Sequence, residues 1–128
     1  MFQEERRAMC YDAGRLLGVR YGSFPDAPTM VPAVVLDFEG GSWVLAVNAD
    51  DDTIRISSSD GLPLEGMRVG EAPEGSPWTR ALGASARWIW TLENQQGYED
   101  GIQFAFSREG REVCRIQLIA VASGWHIV

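Results

Sequence analysis

The string Asn94-Gln95-Gln96-Gly97-Tyr98-Glu99-Asp100-Gly101 places three consecutive amides ahead of a tyrosine and an acidic pair. That is far more hydrogen-bonding capacity than a plain hairpin needs. Two kinds of chemistry follow. In one, Asn94, Gln95, Gln96, Tyr98 and Asp100 form an amide-and-aromatic surface that grips a peptide backbone or a polar ligand. In the other, Asn94 and Asp100 cap the loop's own backbone groups, and Gly97 and Gly101 supply strained dihedrals. The local use is the commoner outcome in turns. Trp78 joins the candidate binding residues, because a tryptophan on a short marginal helix is the one of five expected to be partly exposed.

Catalytic groups are scarce. All 11 basic residues are arginine, which excludes Schiff-base, P-loop and Ser-Lys chemistry. His126 is the one histidine, close to the C-terminus, with no Gly-x-Ser-x-Gly elbow to serve and no second histidine for a metal. Cys10 and Cys114 make no disulfide framework, and Cys114 shares a strand phase with Ile116 and Leu118 as a small hydrophobe. Asp37 and Glu39 share a strand face and resemble a glycosidase dyad in spacing, yet beside Gly40-Gly41 they read as solvent-facing charges. The Asp50-Asp51-Asp52 run fails as a calcium loop. Such a loop alternates its oxygen donors around a central glycine, whereas position 54 is Ile and Asp60-Gly61 is out of register. A solvated turn that blunts edge pairing is the expectation there. No catalytic residue, metal or cofactor is expected.

The elements that carry these residues are mostly strands. Residues 3–13 predict one short helix ending at Gly14. Strands follow over 16–21, 33–38, 43–49 and 53–57, with Val34, Leu36 and Phe38 on one face and a hairpin turn at 39–42. Residues 22–28, with two prolines, read as an exposed connection, and 58–77 as an irregular crossing segment. Ser76-Pro77 predicts a second short helix through Leu82. Strands over 87–94, 102–107 and 113–122 then form an antiparallel meander, with Trp88, Trp90 and Leu92 on the core phase of the first. His126 sits on a terminal strand. The links are too short for crossover helices, so a parallel sheet is not expected. The fold class is α+β, mainly β: one curled antiparallel sheet of about six strands with two short helices, residues 1–128 forming a single domain.

Asn94-Gln95-Gln96-Gly97-Tyr98-x-Asp100-Gly101-x-Gln103-x-x-Phe106, preceded by Trp88-x-Trp90, resembles a bacterial family of small uncharacterised domains. The turn Asp50-Asp51-Asp52-Thr53-Ile54 is similar to another of its features. The resemblance spans about residues 30–122. It implies a compact bacterial domain and hands over no activity and no catalytic residues.

The 18 acidic side chains give a net charge of −7, which opposes a phosphate backbone and disfavours nucleic acid. No apolar run reaches membrane-spanning length, and residues 1–7 are no signal peptide, so no membrane role and a cytoplasmic address are expected. These features favour a non-enzymatic protein-binding module for a basic partner. An immunity-type protein neutralising a basic toxin is the sharper version. The alternative is a small-ligand or carbohydrate binder using the 94–101 loop. A hydrolase built on Asp37, Glu39, Glu93 or Asp100 ranks third, since it needs two carboxylates converging in one cleft.

Overall fold

Val34, Leu36 and Phe38 alternate along β2 (Ala33–Phe38), and this strand sits at the middle of a five-stranded antiparallel sheet. The computed structural model describes residues 2–58 and 64–128. In it β2 pairs on one side with β1 (Leu16–Ser23) and on the other with β3 (Gly41–Val47). Two edge strands, β4 (Ile54–Ser58) and β5 (Arg68–Glu71), complete the order β4-β3-β2-β1-β5. The opposite phase of β2 is buried as well: Ala33 and Val35 pack with Val44 under Leu64 and Met67. Asp60-Gly61, and with it residues 59–63 of the expected crossing segment, lies outside the described residues.

A second antiparallel sheet follows, with β6 (Ser85–Glu93), β7 (Glu99–Arg108), β8 (Arg111–Val121) and β9 (Gly124–Ile127) in chain order. The expected meander is present. Ile102, Phe104 and Phe106 on β7, and Ile116, Leu118 and Ala120 on β8, enter one core with Val34, Leu36 and Leu45 of the first sheet. The fold is therefore mainly β with α+β content, as expected, but the strands divide into two sheets and not one curled sheet. Nine strands are present among the described residues, against about six expected. Backbone bonds join the sheets at one corner, where the Leu16 N–H donates to the Ala84 carbonyl and the Gly83 N–H to the Leu16 carbonyl, both at 2.8 Å.

Three further expectations need correction. The helix α1 (Gln3–Tyr11) stops short of 13 and packs against β6. The second helix is a single 3-10 turn, Pro77–Arg80, since the seven residues 76–82 between Gly75 and Gly83 leave too few backbone bonds to offset helix nucleation. Finally, the phase of β6 is reversed. A bulge between Ala86 and Trp88 inserts Arg87, so Ala86 and Ile89 are buried while Trp88 and Trp90 stand 52% and 37% exposed.

The acidic turn is a joint between the sheets. Asp51 accepts from the Thr53 N–H at 3.0 Å and the Thr53 hydroxyl at 2.6 Å, shaping the turn. Asp52, in the left-handed region at φ 55, accepts from the Ser123 N–H in the β8–β9 turn at 2.8 Å. Nearby, the Trp125 indole donates across the core to the Leu45 carbonyl at 3.0 Å.

Candidate functional site

The loop singled out above is the tip of the β6–β7 hairpin. Asn94 is spent on that tip: its side-chain oxygen accepts from the Gln96 N–H at 2.9 Å and the Tyr98 N–H at 3.2 Å, and its amide donates to Asp100 at 3.3 Å. Gly97 takes the left-handed region at φ 85. Gly101 does not. It is glycine for closeness, because a Cβ there would stand 2.8 Å from the Ile119 side chain and 3.0 Å from the Leu118 carbonyl. The side chains of Gln95, Gln96 and Tyr98 remain exposed, Tyr98 at 50%.

Trp78 does not join them. It is 1% exposed, packed edge-on against Phe104 and Phe106 with ring centroids 6.1 and 6.2 Å away. Its placement in a 3-10 turn, rather than on a surface helix, turns the ring into the core, and its exposure is a failed expectation. The Trp78 indole N–H donates to Tyr21 Oη at 2.9 Å.

Beside that pair the structure opens a cleft of about 420 Å3, between β1 and the stretch from Glu71 to Leu82. Val19 and Trp78 form its floor, and the exposed Leu17 and Leu82 flank it. Arg20 forks onto Asp37 through two 2.8 Å bonds, and the Ser42 hydroxyl donates to the same carboxylate at 2.5 Å. Those bonds, Arg20's first, hold the Asp37 carboxyl below the ordinary aspartate range despite its partial burial. Asp37 is therefore fixed in its charged form. Glu39 is similarly engaged by Arg15, at 2.7 Å from the backbone N–H and 3.1 Å from the guanidinium. No dyad exists at 37 and 39, because each carboxylate faces its own arginine.

Glu71 and Glu74 also line the cleft, and among the described residues neither makes an ion pair. Neither was singled out from the sequence, and the signal that points to them is the distribution of charge. Between residues 12 and 75, which include the whole five-stranded sheet, stand 11 acidic residues and four arginines. Those residues carry the entire net charge of −7, and the remaining seven acids and seven arginines cancel.

None of the other candidates lines the cleft. His126 is exposed on β9. Burial pushes the Cys10 and Cys114 thiols up, away from reactivity. Among the described residues no group of three His, Cys, Asp or Glu side chains is placed to hold a metal ion, and no helix is long and apolar enough to cross a membrane.

Two antiparallel sheets over a shared core, with a cleft at the edge of one of them, define a small mainly-β domain. The chain belongs to the Family of unknown function (DUF6334), whose model matches residues 9–128. The match agrees with the sequence reading that the family is uncharacterised. No curated protein and no solved structure gives a significant match.

Proposed function

We propose that this protein is a non-enzymatic, cytoplasmic protein-binding module that receives a basic partner through its acidic half, in the manner of an immunity protein neutralising a basic toxin. The supporting observation is the cleft beside β1, where apolar walls meet Glu71 and Glu74, two carboxylates that make no ion pair among the described residues, in the half that carries all of the net charge. An arginine or lysine of the partner suits both features. Its methylenes lie against Leu17 and Leu82, and its cation reaches the glutamates. The negative field speeds encounter with a basic surface, and the pocket supplies the contact that slows release. The alternative, a small ligand or carbohydrate held by the 94–101 loop, has less behind it, because Asn94 is already committed to the loop's own backbone.

Affinity capture from the native host at low and high salt, with the wild type beside Glu71→Gln/Glu74→Gln, tests the reading. The expected result is a basic protein retained at low salt, released at high salt and lost from the double variant. Capture that ignores the double variant, or no salt-sensitive partner, overturns it.

A further inference from the structure

The neutral half of the molecule holds a groove of opposite character. Helix α1 turns Gln3, Arg7, Cys10 and Tyr11, spaced by about one or two helical turns, toward the start of β6. Two depressions of about 200 and 370 Å3 meet there and share Cys10, Tyr11, Arg87 and Trp88. No carboxylate lines either one. Tyr11 is 78% exposed and Trp88 52%, a large aromatic area for the surface of a small domain. The Arg87 guanidinium lies over the Trp88 ring at 5.8 Å. Among the described residues neither Arg7 nor Arg87 makes an ion pair, whereas Arg15, Arg20 and Arg115 each do. Arg6 is already engaged, donating to the Ile89 carbonyl at 3.5 Å, and ties the helix to β6.

We infer that this groove between α1 and β6 binds a nucleoside monophosphate, its base against Trp88 and Tyr11 and its phosphate on Arg7 and Arg87. A phosphate monoester carries nearly two charges at neutral pH, matching two guanidinium groups that fork onto its oxygens. A flat base stacks on an exposed aromatic ring whatever its identity, as in single-strand binding surfaces. Ser85 and Ser107, which line the larger depression, offer hydroxyls to a ribose. The net charge of −7 does not forbid a monomer. A polymer brings further phosphates against the acidic half, while a mononucleotide presents one, to the half where charges cancel. The groove binds without reacting, since burial keeps the Cys10 thiol protonated against the pull of Arg6.

The site is separate from the cleft beside β1, so either reading can fail alone. Calorimetric titration of the full chain with AMP, GMP, CMP and UMP tests it, with inorganic phosphate and adenosine as partial ligands. At least one mononucleotide is expected to bind more tightly than either partial ligand. Arg7→Ala/Arg87→Ala weakens it by at least about tenfold, and Trp88→Ala brings it down to the affinity of phosphate. Both variants alter exposed side chains, and a thermal melt beside the wild type checks that they fold. Glu71→Gln/Glu74→Gln leaves binding no weaker. Failure of all four nucleotides to bind, equal binding of phosphate, or an Arg7→Ala/Arg87→Ala protein that binds like the wild type overturns the inference.

Discussion

Trp78 and Tyr21 are joined by a 2.9 Å hydrogen bond from the indole N–H to the phenol oxygen, and that bond fastens the 3-10 turn to β1. The Trp78 ring meanwhile packs on Phe104 and Phe106 of β7, so one side chain touches both sheets. Tyr21→Phe keeps the ring and leaves a buried indole N–H without its acceptor. A loss of about 1–3 kcal/mol is expected in urea unfolding. Trp78→Ala removes the packing as well and costs more, about 3–5 kcal/mol. A Tyr21→Phe protein as stable as the wild type would show that the bond holds nothing.

Gly97 and Gly101 bracket the same loop for different reasons, and substitution separates them. Asparagine visits the left-handed region readily, so Gly97→Asn is expected to cost less than about 1 kcal/mol. At Gly101 any side chain meets Ile119, Leu92 and the Leu118 carbonyl within 3.0 Å. Gly101→Ala is expected to cost about 1–3 kcal/mol, and Gly101→Asn more. Thermal melts of the three variants read the order directly. A Gly97→Asn protein less stable than Gly101→Ala contradicts the assignment.

Acid should unfold this protein partly through Asp37. Hydrogen bonds from Arg20 and then Ser42 place its folded pKa below the unfolded value of about 3.9. The ionised carboxylate therefore stabilises the native state above that pH, and the contribution disappears as the pH falls through the folded pKa. Asp37→Asn is expected to be less stable at neutral pH, with the two urea midpoints converging as the pH falls through the folded pKa. Parallel curves for wild type and variant would mean that the fork from Arg20 is not felt in stability.

Where side chains alternate against a core, the sequence is legible. Ile102, Phe104 and Phe106, or Val34, Leu36 and Phe38, face inward as their spacing predicts. The phase of β6 is not legible, because one bulge residue, Arg87, reverses the side chains from Trp88 to Leu92. β5 was hidden for the opposite reason: all four of its residues are exposed, so no alternation marks it. The local reading of the 94–101 loop was open to inspection because its bonds run between neighbours, Asn94 to Gln96 and Tyr98. The cleft was not. It is assembled from Leu17, Glu71 and Leu82, which only the folded chain brings together.

The whole net charge falls within residues 12–75, and there on the links between strands, since the five strands themselves hold two acids and three arginines. The molecule is therefore unevenly charged along its chain. In the field of a strongly charged partner such a body experiences torque as well as attraction. It rotates during approach, so a cationic surface meets the acidic links in more encounters than random tumbling would give, and raised salt removes that orienting advantage first.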